Sequence, residues 1–210
     1  MLDTYTNSYN VIKKEARENP RLDREKIMQA TRLMIEALGD NPDREGLRGT
    51  PDRVARAYEE LFEGMNYTND QIADMFDTCF HTNTEGLVAV GQIPINSFCE
   101  HHILPMINMT ASIGYIPSEG RVIGLSKLAR IADLASKRLQ LQERIGEDIA
   151  YIVQKVSQSP DVIVVIEGEH TCMTMRGEKA RGTVTRTATL RGRFITNIAL
   201  RQEFYSLIKK

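Results

Sequence analysis

The spacing of hydrophobic residues changes at about residue 78 of this 210-residue chain. Before that point, apolar side chains recur every three or four residues, which is the period of an amphipathic helix. The pattern predicts three helices, over residues 23–38, 50–64 and 69–76, capped by Asp23, Thr50 and Asn69. Residues 1–22 are polar and lack a sustained apolar period, so we expect an extended or frayed arm there.

After residue 78 the pattern is typical of strands and helices in alternating pairs. Strands are predicted over residues 86–97, 106–116, 162–166 and 183–190. Helices are predicted over residues 126–139, capped by Ser126, over 141–157, and over 197–209 at the end. Two strands, two helices and two strands in this order predict an α+β unit with an antiparallel four-stranded sheet. We therefore divide the chain into an arm and helical part, residues 1–78, and an α+β domain, residues 79–210.

Composition and charge exclude several classes of protein. The chain has 27 basic and 28 acidic residues and a net charge of -1, so nothing in its overall charge attracts nucleic acid or a membrane surface. No apolar run approaches the roughly 20 residues of a membrane span, and the polar N-terminus does not resemble a signal peptide. Three cysteines do not form a disulfide framework, so we expect a cytoplasmic protein.

Scarce metal-binding residues concentrate in two short segments. Three of the four histidines and two of the three cysteines occur in Cys99-Glu100-His101-His102 and Glu169-His170-Thr171-Cys172. Thiolates and imidazoles are ligands that zinc prefers, and two cysteines with one histidine leave a fourth tetrahedral position for water. The pattern therefore predicts one catalytic zinc site, with the remaining imidazoles free for proton transfer.

Spacing alone does not choose the three ligands. Along extended backbone, Cys99 shares a face with His101, whereas His102 points away unless the chain turns after the strand. His170 and Cys172 share a face only if their strand runs that far. Simple packing and a closed structural zinc are the alternatives. A nucleic-acid zinc finger is disfavoured because its ligand pairs lie about 12 residues apart, whereas the two candidate segments of this chain are much farther apart in the sequence.

A second group of residues indicates an anion site. Lys127 and Arg130 fall in the first turns of the helix that Ser126 is predicted to cap, where the helix dipole disfavours cations unless an anion also binds. Arg176 follows Cys172 by four residues and supports this interpretation, although an ordinary solvated face is the alternative. Weaker candidates on their own are Arg53 and Arg56, and Gln142 and Glu143 at a helix start.

Five ordered motifs together carry a resemblance to a known family. They are Cys99-Glu100-His101-His102, Gly114-Tyr115-Ile116-Pro117, residues 122–130 (VIGLSKLAR), Gln142-Glu143-Arg144, and residues 170–177 (HTCMTMRG). In these motifs the chain, from about Asp23 to its C-terminus, resembles GTP cyclohydrolase I. The resemblance implies the tunnelling fold, assembled as a decamer of two stacked pentamers with active sites between subunits.

The resemblance also implies a role for each candidate residue. The implied zinc ligands are Cys99, His102 and Cys172, and the implied proton-transfer residues are His101 and His170. The implied triphosphate contacts are Ser126, Lys127, Arg130 and Arg176, assisted by Arg53 and Arg56. Glu143, with Gln142, is implied to bind the guanine edge. The implied reaction hydrolyses and rearranges GTP to 7,8-dihydroneopterin triphosphate with release of formate, the first step of a folate, pterin or deazaguanine pathway.

Two other functions are considered, and one segment of the chain differs from the family pattern. The rivals are a non-catalytic, zinc-stabilised nucleotide-binding module and a deazapurine nitrile reductase of the same fold, which uses NADPH and a free cysteine nucleophile. The departure is residues 106–113 (MINMTASI), one residue longer than the family pattern and without its Gly and His. We expect a bulged or differently mobile segment there, beside the metal, and do not assume a typical turnover.

Overall fold

The computed structural model describes residues 22–83 and 85–209. The predicted N-terminal arm lies outside these ranges except for its last residue. Within the described residues, no helix combines the length and apolar character needed to cross a membrane.

Three helices precede the sheet, as predicted. They are α1 (Arg24–Ala37), α2 (Thr50–Leu61) and α3 (Asn69–Met75), with a 3₁₀ turn at Glu63–Asn66. Asp23 caps α1 by accepting from the backbone N–H of Lys26. Two predicted caps were wrong: Gly49 precedes α2, and Thr68 rather than Asn69 caps α3. Thr68 takes this place because it forms a capping box with Gln71. The Thr68 hydroxyl accepts from the backbone N–H of Gln71, and the Gln71 side-chain oxygen accepts from the backbone N–H of Thr68.

The four predicted strands form one antiparallel arrangement, and a fifth very short strand extends it. The strands of this sheet are β2 (Val88–Cys99), β3 (Leu104–Tyr115), β5 (Leu139–Gln140), β6 (Val162–His170) and β7 (Thr185–Leu190). Their order is β5-β2-β3-β6-β7, and only the β2–β5 pair is parallel. A separate two-stranded ribbon pairs β1 (Cys79–His81) with β4 (Arg121–Ile123).

The helices of the second half pack on both faces of this sheet. They are α4 (Leu125–Ser136), α5 (Gln142–Ser157), the single turn α6 (Thr171–Thr174), and α7 (Ile198–Ile208) after a 3₁₀ turn at Gly192–Ile195. The main core lies between the sheet and α3, α4 and α5, while Phe194 and Phe204 cover Ile163 and Val165 on the other face. Burial on both faces explains why residues 162–166 form a continuous apolar run. This α+β architecture confirms the fold class expected from the sequence.

A buried arginine joins the helical part to the sheet. Arg138, which is 0% exposed, donates to Asp148 Oδ2 at 2.9 Å and to Asn69 Oδ1 at 2.7 Å. It also donates to the carbonyl oxygens of Gly64 and Tyr67, each at 3.0 Å. Because Arg138 directly precedes β5, these bonds fix the helical part against the end of the sheet where Cys99 lies.

Asp148→Ala is expected to destabilise the protein by about 3–5 kcal/mol, because it leaves the Arg138 charge buried without its carboxylate. Chemical denaturation measures this loss as a lower midpoint at an unchanged slope. The matched control is Asp43→Asn, which breaks the solvent-exposed ion pair with Arg32 and should cost less than about 1 kcal/mol. Equal losses in the two variants would contradict this role of the buried network.

Candidate metal centre and active site

A tight turn between β2 and β3 presents the first cluster of candidate ligands. Cys99 ends β2 and pairs with Leu104 at the start of β3, so residues 100–103 form the turn. The backbone N–H groups of His102 and Ile103 both donate to the Cys99 carbonyl oxygen. Ile103 has φ +54°, a conformation unusual for a β-branched residue. The strand therefore reverses sharply at this point, and the side chain of His102 does not continue the strand alternation.

The register of the sheet brings the second cluster beside this turn. His170, the last residue of β6, pairs with Met106 of β3, and the chain then enters α6. Cys172 lies in this helical turn. It therefore does not share a strand face with His170, as it would if the strand continued to residue 172. Its Sγ atom is 4.0 Å from Sγ of Cys99, and both cysteines are free thiols.

Cys99, His102 and Cys172 converge on one point. Their candidate ligand atoms all lie within 4.8 Å of one another. Two sulfurs bound to one zinc ion at about 2.3 Å with tetrahedral angles would be about 3.8 Å apart, close to the separation found. The donor set of two thiols and one imidazole therefore fits a tetrahedral metal site. His101 lies beside it, with Nδ1 3.9 Å from Sγ of Cys99.

Arg176 contacts this cluster directly. One of its guanidinium nitrogens, Nη1, donates to Nε2 of His102 at 3.1 Å. A neutral imidazole has one lone pair, so this contact places the proton of His102 on Nδ1. A metal bound at Nε2 would take the lone pair that accepts from Arg176. A metal bound at Nδ1 would require the ring proton to move to Nε2, which could then no longer accept. In either case Arg176 would be released from the ring.

His170 lies two residues before Cys172, in a partly buried position. Its Nε2 atom is 2.8 Å from Oε1 of Gln142. Burial lowers the pKa of His170 below its ordinary value, and the negative charge of Glu143 partly offsets this. The ring is therefore neutral near neutral pH and can accept a proton.

The structure gives the Gln142 side chain partners that the sequence did not indicate. Gln142 is 1% exposed, and its Nε2 faces the carbonyl oxygens of Ile166 and Thr185 at 3.2 and 3.0 Å. Both ends of its amide thus contact protein groups. Glu143, the next residue on α5, is exposed.

An ion pair that the sequence patterns did not predict fixes the turn to α5. Arg144 donates from Nη1 and Nη2 to the two carboxylate oxygens of Glu100, at 2.6 and 3.3 Å. A signal was present in the sequence, because a cation in the first turn of a helix opposes the dipole and needs an anionic partner. Glu100, inside the Cys-Glu-His-His segment, is that partner.

Ser126 and Lys127 lie in the first turn of α4, and Arg130 lies near the middle of this helix. Gly124 occupies the cap position of α4, so Ser126 lies within the first turn and the predicted cap was wrong. The helix has 12 residues, about 18 Å, and its opposite end leads through Arg138 into β5, which pairs with Cys99. Lys127 contacts the Thr78 carbonyl oxygen, and Arg130 lies over the Phe76 ring at 4.9 Å.

Arg53 and Arg56 lie on α2. Arg53 donates to Thr50 Oγ1 at 3.1 Å, and Arg56 pairs with Asp52 at 3.1 Å. The C-terminal end of the same helix packs on the strand that carries Cys99, since the rings of Phe62 and Phe98 are 4.7 Å apart. The two arginines therefore lie on a helix whose far end approaches the cluster.

The expected bulge next to the metal cluster is present. The pairing of β3 with β6 shifts between Ile107 and Thr110, and Asn108 there has φ +52°. The Asn108 side chain donates to Glu169 at 2.9 Å, which ties the bulge to the residue before His170. The consequence for turnover stays a prediction.

Comparisons with known proteins agree with these motifs. A sequence profile described as GTP cyclohydrolase I matches residues 27–209. GTP cyclohydrolase 1 of Clostridium botulinum (strain Loch Maree / Type A3) is 52% identical over 195 residues, covering 90% of this chain and 99% of that protein. GTP cyclohydrolase 1 of Clostridium acetobutylicum is 51% identical over 193 residues, covering 90% and 98%. A more distant structural likeness, with a TM-score of 0.39 and 14% identity, is to Escherichia coli dihydroneopterin aldolase in complex with neopterin, covering 51% of this chain and 99% of that one.

The profile match spans both the helical part and the sheet, and it includes each segment that contributes to the Cys-His-Cys cluster. Together with relatives at about half identity over nine-tenths of the sequence, it shows that the chain belongs to the GTP cyclohydrolase I family.

Proposed function

We propose that this protein converts GTP to 7,8-dihydroneopterin triphosphate and formate in a zinc-dependent reaction. Family membership supports the reaction, and the convergence of Cys99, His102 and Cys172 is the observation that carries the metal dependence. When bound, zinc would supply Lewis-acid activation of a water molecule near neutral pH. Two thiolates neutralise most of the ion's charge, so a neighbouring base is needed as well.

His170 and His101 are the proposed proton-transfer residues. Both lie beside the ligand cluster without belonging to it. We propose that one of these imidazoles takes a proton from the attacking water and that an imidazole then protonates N7 of the purine as C8 is attacked. Ring opening and a second hydrolysis release formate, and the remaining ribosyl pyrimidine recloses without a redox cofactor.

Glu143 is the proposed guanine-binding residue. A carboxylate can accept from both N1–H and the 2-amino group, a pair of donors that adenine does not offer together. A purine without these donors would leave a polar group of the site unpaired, which accounts for selectivity. We keep Gln142 beside Glu143 in this region but assign no guanine contact to its side-chain amide, since both ends already bond to protein groups.

The proposed triphosphate site requires two chains. Arg176 lies at the cluster of its own chain, whereas Ser126 and Lys127 lie at the opposite end of α4 and Arg130 lies near its middle. We infer that these three residues, with Arg53 and Arg56 assisting, serve a cluster on a neighbouring subunit. Among the described strands, β7 pairs only with β6, and β2 meets β5 over two residues, so both sheet edges are available for contacts between subunits.

The proposed assembly is the decamer of two pentamers expected from the resemblance. We also propose a cytoplasmic location, because ligand thiols must be reduced to bind metal. The product would feed a folate, pterin or deazaguanine pathway.

Incubating the zinc-loaded protein with GTP is expected to release formate and to produce the absorbance of a pterin. GTP that remains unchanged would contradict the proposed reaction and favour a zinc-stabilised nucleotide-binding module. Consumption of NADPH with a deazapurine nitrile, in a parallel incubation, would instead favour the reductase.

Mixing two inactive variants tests whether the site is shared between chains. Cys99→Ser removes a ligand and Arg130→Ala removes a cation, so hybrid oligomers should regain part of the activity at sites that receive both intact halves. The comparison pair is Cys99→Ser with Arg176→Ala, which should recover nothing because both residues belong to one cluster. If labelled subunits are shown to exchange and the Arg130 pair recovers no activity, the site is built within one chain.

A further inference from the structure

The amide of Gln142 and the ring of His170 form a contact whose hydrogen position can be assigned. Gln142 is the first residue of α5, and His170 is the last residue of β6. Oε1 of Gln142 lies 2.8 Å from Nε2 of His170. Both are side-chain atoms that could donate or accept in principle, because amide and imidazole orientations are ambiguous by themselves.

The surroundings of Gln142 remove this ambiguity. The other end of its amide faces the carbonyl oxygens of Ile166 at 3.2 Å and Thr185 at 3.0 Å, and Thr187 Oγ1 at 3.4 Å. A carbonyl oxygen only accepts hydrogen bonds, so the atom facing the two carbonyls must be the NH₂ group. The atom facing His170 is therefore the amide oxygen, which only accepts, and His170 must donate to it from Nε2.

We propose that Gln142 is a positioning residue that holds the ring proton of His170 on Nε2 and leaves the lone pair on Nδ1. This inference rests on the proposed acid–base role of His170 and specifies which atom performs it. Nδ1 takes a proton from the attacking water, which gives an imidazolium with both nitrogens protonated. Return of that proton from Nδ1 to the purine ring restores the original tautomer, so the Gln142 contact persists through the cycle.

The same contacts explain why Gln142 can hold the ring firmly. Its amide nitrogen reaches β6 through Ile166 and β7 through Thr185, so the oxygen is fixed relative to the sheet that carries His170. Turning the amide toward a substrate would break its hydrogen bonds to these two carbonyl oxygens. Because the side chain is 1% exposed, that loss would not be compensated by solvent.

The tautomer can be read directly in the zinc-loaded wild-type protein. Imidazole ¹⁵N spectra distinguish a protonated from an unprotonated ring nitrogen, and the chain has only four histidines to assign. Comparison with His170→Gln identifies the His170 signals. At mildly alkaline pH we expect a protonated Nε2 and an unprotonated Nδ1. A protonated Nδ1 in the wild-type protein would overturn the inference without any variant of Gln142.

Two variants then test the consequence for the reaction. Gln142→Leu removes the acceptor and should give a mixture of His170 tautomers, with kcat lowered about tenfold or more and KM for GTP nearly unchanged. Thr187→Val removes only the longest contact of the amide and should leave both tautomer and kcat as in the wild type. A raised KM with an unchanged tautomer in Gln142→Leu would show that Gln142 binds guanine instead.

The proposed function and this inference can fail separately. Full activity in His170→Ala would remove His170 from the reaction, whatever its tautomer. Loss of activity in that variant together with a protonated wild-type Nδ1 would keep the acid–base role and refute the part assigned to Gln142. Should Gln142→Leu fail to fold, the wild-type spectrum alone decides.

Discussion

Cys172→Ser is expected to lose bound zinc and activity together. Cys172 and Cys99 supply the two thiols of the cluster, 4.0 Å apart, and a serine hydroxyl is a much poorer zinc ligand than a thiolate. Removing one of three protein ligands forfeits much of the binding free energy and leaves His102 and Cys99 with an incomplete site. We expect roughly one zinc per chain in the wild-type protein and much less than that in Cys172→Ser or Cys99→Ser.

The third cysteine provides the matched control. Cys79 lies on β1, where its thiol donates to the Val156 carbonyl oxygen at 3.4 Å, and it is not one of the three converging ligands. Cys79→Ser should keep both zinc and activity, as measured by metal analysis of the purified protein and by formate release. The histidines provide a sharper test, because His102→Ala should lose zinc while His101→Ala retains it. The opposite result for these two variants would refute the ligand assignment.

His170→Ala is expected to retain zinc but turn over GTP about 10²–10⁴ times more slowly, as for a lost acid–base group. The ring lies next to the cluster but is not one of the three converging ligands. Its neutral form is favoured because burial lowers its pKa, which suits a group that must accept a proton. Metal content and single-turnover formate release measure the two parts of the prediction.

The fourth histidine is the control for this prediction. His81 is exposed on β1, in the ribbon with β4, and His81→Ala should leave both zinc content and turnover unchanged. Loss of zinc in His170→Ala would mean that His170 belongs to the ligand set. Unchanged turnover would remove it from the mechanism.

Local patterns predicted most of the secondary structure because each element carries its own signal. The strand and helix periods persist over many residues, and helices such as α1 and α5 begin where the apolar spacing begins. The cap errors, as with Thr68 and Gly124, arose because the cap is chosen by backbone conformation and by competing side chains. The ribbon strands β1 and β4 and the single turn α6 were not predicted, because elements of three or four residues are too short to show a period. Strand β5, with two residues, has no period to detect.

The chemistry of the site was also evident in the sequence, since few residue types bind soft metals and this chain concentrates them in two segments. The sequence did not show which of His101 and His102 is the ligand. That choice depends on a turn whose geometry comes from the pairing of Cys99 with Leu104 and from the unusual φ of Ile103. No periodicity encodes that reversal.

Sequence patterns predicted the long helices and strands, their order along the chain, and the residues that can bind a metal. Which of these residues meet depends on the tertiary fold. Contacts between distant segments, such as Cys99 with Cys172 and Gln142 with His170, follow from strand register and helix packing rather than from local spacing. Arg138 is a similar case. A charged residue is expected at the surface from sequence alone, but Arg138 is buried in the core, where it pairs with Asp148. Their positions depend on how the whole chain closes around its core, and that is a property of no single segment.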